Sequence, residues 1–190
     1  MQEILVLGAG KIGVLITGLL AESGDYQVQL GDSKPGAAGD VAEAHGHKNI
    51  TAFDLDATDQ DALAAHVRKH KPVAVISSLP YFCNPAVAEV ARQEGLHYFD
   101  LTEDVEVTKA VRKLAEGAEQ VFAPQCGLAP GFISIAANEL MQHFDSIKSV
   151  KMRVGALPQH PNNVLKYSLN WSTDGIINEY GNMCQSVVDG

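Results

Sequence analysis

Cysteine is scarce in this sequence, and its placement excludes a class of folds. The three cysteines, Cys83, Cys126 and Cys184, are an odd number without paired spacing, so neither a disulfide framework nor a zinc knuckle is implied. Positive charge is also short. Fourteen lysines and arginines face 23 acidic residues, and a formal net charge of −9 argues against an extended surface for nucleic acid or an acidic membrane. The expected partner is a small molecule. A long hydrophobic span is missing, because Gly8, Gly10 and Lys11 interrupt the opening apolar run, which carries Glu3 where a targeting leader would be basic. A soluble cytoplasmic protein is expected. Only His45 and His47 form a close histidine pair, with no third ligand nearby, so no metal site is expected. No tyrosine has a lysine four residues on, which closes the short-chain dehydrogenase route.

What is present starts at the amino terminus. An apolar strand from Ile4 runs into Gly8-Ala-Gly-Lys-Ile-Gly13 and then a helix. Gly8 permits the sharp turn, Gly10 lets backbone amides approach a pyrophosphate, and Gly13 lets the helix pack close to the sheet. Gly8, Gly10, Lys11, Ile12 and Gly13 are therefore the expected cofactor residues of this turn. The helix places Ile12, Leu15, Ile16, Leu19 and Leu20 on one face. A second strand, residues 26–30, leads to Asp32, roughly 20 residues past the turn, where a carboxylate can accept from adenosine ribose hydroxyls. That charge repels a 2′-phosphate and favours NAD. Lys34 can offset the repulsion and leaves NADP open.

Strand and helix then alternate. A short helix over residues 36–44 precedes a strand at 50–55. Thr58 or Asp59 caps the next helix, whose Leu63, Ala64 and Val67 face inward. Asp56 and Ala57 end the third strand beside the expected adenine, although Asp56 could equally begin the cap. Residues 72–76 form a buried strand ending in Ser77-Ser-Leu-Pro80, a loop expected to pass beneath the cofactor, so Ser77, Ser78, Leu79 and Pro80 are cofactor candidates. Asn84 caps a helix with Pro85 at its first position. A fifth strand, 97–101, leads to Thr102-Glu-Asp104 and a helix carrying Val107, Val111 and Leu114, and a short sixth strand spans 121–123. The alternation predicts an α/β Rossmann domain, a doubly wound parallel sheet, over residues 1–124.

The pattern changes in residues 125–190. A turn-rich loop at 124–131 leads to a helix over 132–143 with Ile133, Ile135, Ala136, Leu140 and Phe144 as its apolar set. Two segments of strand character follow, 149–157 and 164–171, and then a polar tail. This reads as the start of a mixed α+β substrate or dimerisation domain, too little to enclose a core. Truncation, or cover by another copy of the chain, is expected.

Together, Gly8-Ala-Gly-Lys-Ile-Gly13, Ser77-Ser-Leu-Pro80, Phe99-Asp-Leu-Thr-Glu103, Gly127-Leu-Ala-Pro-Gly131 and Trp171-Ser-Thr-Asp-Gly175 resemble saccharopine dehydrogenase-like proteins, closest to the lysine 6-dehydrogenase branch. The resemblance spans the chain. It implies an enzyme about twice this length, commonly dimeric, which moves hydride between a nicotinamide and the carbon of an amine or imine in an amino acid. Glu103 is then the expected catalytic residue, handling a proton or holding the substrate ammonium, with ordinary first-turn capping as its alternative. Thr102, Gly127, Pro130, Gly131, Trp171 and Thr173 are the expected substrate-binding residues; the loop at 127–131 serves equally as a domain-crossing turn. Tyr81 and His160 are conceivable proton carriers, with nothing in their spacing to raise them above surface residues. Two rival readings stand beside this one. In the first, Cys126 is a nucleophile of the semialdehyde dehydrogenase kind, which would need a base to form thiolate. In the second, the chain is an NAD-binding sensor without turnover.

Overall fold

The alternation of side chains in the first strand sets the architecture. In β1 (Gln2–Leu7), Leu5 and Leu7 join one hydrophobic cluster and Ile4 and Val6 join another, so both faces of the strand are buried. That is the pattern of a central strand in a parallel sheet covered by helices on both sides. The computed structural model describes residues 1–155, 157–164, 166–168 and 172–183.

Within these residues β1 is followed by α1 (Lys11–Ser23), β2 (Tyr26–Asp32), α2 (Ala37–His45), β3 (Ile50–Asp54), α3 (Gln60–His70) and β4 (Ala74–Ser77). After a single 3-10 turn come α4 (Asn84–Glu94), β5 (His97–Asp100), α5 (Val105–Ala115) and β6 (Phe122–Ala123). The strands form one sheet in the order β3-β2-β1-β4-β5-β6, and every pairing is parallel. The fold is therefore the α/β Rossmann arrangement. Side chains of α3, α4 and α5 pack with Leu5, Leu7, Val75 and Tyr98 on one face, while α1 and α2 pack with Ile4, Val6, Val28 and Leu30 on the other. Because all strands point the same way, the loops after β1, β4 and β5 gather at one edge.

Helix α1 departs from the expected apolar face. Gly13, Thr17 and Ala21 are its buried residues, Ile16 and Leu20 pack at the cluster's margin, and Ile12, Leu15 and Leu19 are exposed. Small side chains at i, i+4 and i+8 let the helix axis lie close to the sheet, which turns the larger residues outward. Asn84 does not cap α4. It is the first helical residue, and its side chain accepts a hydrogen bond from Ser77 Oγ at 2.7 Å.

The far end of the sheet holds a buried polar chain. Gln29 Nε2 donates to Glu3 Oε2 at 2.9 Å, which leaves Gln29 Oε1 to accept from His66 at 2.9 Å and requires the Nε2–H tautomer of the histidine. Burial, with His70 and Lys69 adding to it, pushes the His66 pKa from 6.5 down to about 4. Between those values the unfolded chain binds a proton that the folded chain refuses, so stability is complete above pH 6.5 and falls as pH drops toward 4. Urea denaturation across that window is expected to show the loss, and His66→Gln is expected to flatten the slope. An unchanged slope in the variant would assign the pH dependence elsewhere.

Beyond β6 the described chain holds α6 (Phe132–Met141) and α7 (Thr173–Gly181). The strands expected at 149–157 and 164–171 do not form among the described residues, where the stretch from 149 to 155 is exposed and pairs with nothing. Alternating apolar residues make a strand only when a neighbouring ladder satisfies the backbone. No residue of α6 is buried, so its apolar set is not yet a core. The expected polar tail is partly helix: Ser172 caps α7 by accepting from the Gly175 amide at 3.1 Å.

Candidate functional site

The gathered loops enclose a cleft of about 290 Å³. Gly10, Lys11 and Ile12 form one wall at the start of α1, and Ser78, Leu79, Pro80 and Tyr81 form the floor after β4. Leu101, Thr102 and Glu103 enter after β5, and Ser172 and Gly175 close it from α7. A second hollow of about 190 Å³ lies on the other side of Leu79 and Pro80, lined by Gly31, Ser33, Leu55, Asp56, Ala57, Thr58 and Cys83 among others. Two hollows divided by one loop suit the two halves of an extended ligand.

The turn between them is built to present amides. Gly8 has φ +98° and donates its N–H to Gly31 O at 2.8 Å, fixing the end of β1 against β2. Gly13 allows α1 to rest on this turn. Gly10 has no atom within 4 Å of where a Cβ would stand, so the space in front of it is open. Gly10 lacks a side chain to cap α1, and the first turn carries no acidic residue. The amides opening that helix are thus left for an anion, and the helix dipole points the same way. Asp32 braces the arrangement: its Oδ2 accepts from Ala9 N at 2.7 Å and its Oδ1 from Lys34 N at 2.8 Å. Each oxygen keeps one lone pair for a ligand hydroxyl.

The serine pair divides its labour. Ser77 is fully buried with its hydroxyl given to Asn84, so the expected cofactor contact there is corrected to a core hydrogen bond. Ser78 reaches the cleft, but its hydroxyl donates to Leu7 O at 2.9 Å and Gly8 O at 3.1 Å and so holds the glycine turn. Asp56 accepts from both the amide and the hydroxyl of Thr58, which hold its carboxyl below the usual range; it lines the smaller hollow together with Ala57. The cap of α3 is Asp59, accepting from Ala62 N at 3.0 Å.

On the other side stands Glu103. Its Oε1 is buried and has no hydrogen-bond partner among the described residues. Burial raises its pKa, and the carboxylates of Glu179 and Asp104 raise it further, while its own amide and Asn178 act against them. First-turn capping belongs instead to its neighbour: Asp104 Oδ1 accepts from Val107 N at 2.7 Å. Thr102 is buried at the cleft wall, and its hydroxyl oxygen accepts from Asp104 N at 3.1 Å.

Beneath them lies Asp100, fully buried, which accepts from Tyr98 Oη at 2.7 Å, Thr102 N at 2.9 Å and Gln125 N at 3.1 Å. Burial and the Asp100 charge push the Tyr98 phenol up, so it remains the donor.

Several expected substrate contacts fall elsewhere. The loop holding Gly127, Pro130 and Gly131 closes on itself through a Gly127–Gly131 bridge and a Phe132 N–H donated to Gly127 O at 2.9 Å, and none of the three lines the cleft. The amides of Phe132 and Ile133 at the start of α6 are turned back onto the loop carbonyls of Gly127 and Leu128. Thr173 is exposed, and Ser172 and Gly175 take the place expected for it. Trp171 and Cys184 lie outside the described residues. Tyr81, set beside surface residues by spacing alone, is in the cleft because it continues the loop after β4. Cys126 is exposed and donates to Ala123 O at 3.2 Å; the protein around it and Asp100 push its thiol up, which suits no nucleophile. No group of three or more potential metal ligands is found among the described residues. No helix among them is long and apolar enough to cross a membrane.

Comparison with known proteins finds relatives for both parts of the chain. A family model described as the saccharopine dehydrogenase NADP binding domain matches residues 4–123, and one described as the saccharopine dehydrogenase C-terminal domain matches residues 127–190. The chain is 24% identical over 185 residues to the mitochondrial alpha-aminoadipic semialdehyde synthase of Mus musculus, covering 93% of this chain and 19% of the relative. It is 23% identical over 173 residues to the carboxynorspermidine synthase of Vibrio alginolyticus, covering 78% and 42% respectively. An apo saccharopine dehydrogenase (L-Glu forming) from Saccharomyces cerevisiae shares the fold, with a TM-score of 0.72 and 22% identity over 93% of this chain and 40% of that one. The chain therefore spans less than half the length of each of these proteins.

Proposed function

This chain belongs to the saccharopine dehydrogenase family, and on that premise we propose that it binds a nicotinamide dinucleotide across the glycine turn and transfers hydride at a carbon–nitrogen bond of an amino acid. The observation that carries the reading is the buried Oε1 of Glu103, unpartnered among the described residues, in the same cleft as the open amides of Gly10 and Lys11. When bound, the nicotinamide supplies the hydride acceptor or donor. The protein's part is to manage the proton.

An alkylammonium cannot release hydride from its α-carbon until the nitrogen lone pair is free. Glu103, with its pKa raised by burial, is suited to accept that proton and to return it in the reverse direction. Thr102 and Asp104 hold the segment that carries it. Leu79, Pro80 and Leu101 give the cleft apolar walls that limit water. Asp32 and Lys34 act in opposite directions on cofactor choice. The family description favours NADP, for which Lys34 supplies the counter-charge, whereas the Asp32 carboxylate favours NAD.

The test measures cofactor reduction spectrophotometrically with saccharopine, lysine and related amino-acid amines, with both oxidised cofactors. Glu103→Gln is expected to lower kcat about a hundredfold, within the range of general acid–base catalysis, while leaving dinucleotide affinity unchanged. Turnover retained by the variant would remove Glu103 from the chemistry. Tight dinucleotide binding with no turnover on any amine would favour the sensor.

A further inference from the structure

We propose that Asn178 is a positioning residue for the Glu103 site: from α7 it ties the Glu103–Asp104 pair in place and sets how readily Glu103 exchanges its proton. The proposal rests on the reading of Glu103 as the proton carrier, and its test is chosen to stand apart from that reading.

The geometry begins with Asp104. One carboxylate oxygen caps α5 through Val107 N, and the other accepts from Asn178 Nδ2 at 2.9 Å. The backbone of Asp104 is held in turn by Thr102 Oγ1. Asp104 is thus immobilised on three sides, and Asn178 is docked on a fixed post. Glu103 directly precedes this post, and the Asn178 amide acts to lower its pKa against the effect of burial. Gly175, one helical turn before Asn178, is buried and lines the cleft with Ser172, so the hydrogen bond that anchors α7 also seats the cleft's closing wall. Residue 103 and residue 178 fall in the two separately matched domains, and Asn178 is therefore a joint between them.

The chemistry of an amide suits this place. The groups around Glu103 are Asp104 on its own loop, Glu179 from α7, and Lys11 and Tyr81 lining the same cleft from α1 and the loop after β4. A lysine or arginine at 178 would hold Glu103 ionised and blunt it as a proton carrier. An aspartate would add a third carboxylate to Asp104 and Glu179. Asparagine donates to Asp104 beside Glu103 without adding charge, which leaves burial as the dominant influence on Glu103.

The test uses the whole chain with its glutamate side-chain carboxyls labelled with carbon-13, the Glu103 resonance being identified by its loss in Glu103→Gln. Asn178→Ala is expected to move the Glu103 titration midpoint to higher pH, and the near-isosteric Asn178→Asp to move it further; the latter preserves side-chain size if alanine loosens α7. In turnover, the acidic limb of the kcat profile for amine oxidation is expected to shift upward by the same amount. A midpoint unmoved in both variants, with helix content retained, overturns the proposal. A wild-type profile without that limb would overturn the catalytic reading of Glu103, yet the midpoint shift would still decide the role of Asn178.

Discussion

Gly13→Ala is expected to cost about 3 kcal/mol of folding stability, the upper end of the overpacking range, and to abolish measurable dinucleotide binding. Gly10→Val is expected to cost about 1 kcal/mol or less, as helix N-cap changes do, and yet to weaken dinucleotide binding about a hundredfold, or roughly 2.8 kcal/mol. The two glycines separate because they serve different partners. A Cβ on Gly13 would stand 1.7 Å from Gly8 O and 2.8 Å from Ser78 Oγ, and neither can yield easily. Gly8 is pinned by its amide to Gly31 O at 2.8 Å, and the Ser78 hydroxyl is already shared between Leu7 O and Gly8 O. At Gly10 the backbone is extended, with φ −76° and ψ −176°, and an added Cβ has no protein atom within 4 Å. It would meet the ligand. Urea denaturation and calorimetric titration with both reduced cofactors measure the two effects. Native affinity in Gly10→Val would move the pyrophosphate away from this turn, and native stability in Gly13→Ala would contradict the close packing of α1.

That contrast also marks how far the sequence could be read. Continuous apolar residues in β1 and β4 and the glycine spacing are local, and the strands and helices through β6 follow from such patterns. The end of β5 was legible for the same reason, since a carboxylate following a parallel strand must stand at the shared edge. What was hidden depends on partners distant in the chain. Spacing does not say that Ser77 turns into the core toward Asn84 while Ser78 turns toward Gly8, because adjacent residues of a strand face opposite ways and the choice is fixed by register. Nor does it say that α7 returns to Asp104 across 74 residues. The signal that was there is Ser172 ahead of Asp174, a cap and a first-turn acid that mark a helix start in what looked like a polar tail. The exposed stripe of Ile12, Leu15 and Leu19 teaches the converse lesson. Apolar periodicity names a helix, but the buried side is chosen by which residues are small enough for close approach.

Asp100→Ala is expected to cost about 4 kcal/mol, and Asp100→Asn only about 1 to 2 kcal/mol, because the first strands donors that the second still satisfies. Alanine leaves Tyr98 Oη, Thr102 N and Gln125 N without the carboxylate they share in a fully buried site. Asparagine keeps one carbonyl oxygen, and since Thr102 N and Gln125 N both donate to Oδ1, that oxygen can serve both. Its amide nitrogen then faces Tyr98 Oη, which can accept that N–H and turn its own proton to Asn84 O, now 3.4 Å away. The loss is one charge-assisted hydrogen bond instead of three acceptor contacts. The consequence reaches the cleft, because Thr102 N begins the segment that carries Glu103, and Gln125 N with Cys126 N fixes the chain leaving β6. In a chain whose total stability lies in the usual range of about 5 to 15 kcal/mol, Asp100→Ala is expected to be partly unfolded at 37 °C and Asp100→Asn to remain folded. Urea midpoints compared for the two variants decide the matter. Equal destabilisation by alanine and asparagine would mean that the negative charge itself, and not the acceptor geometry, holds the two loops to the end of β5.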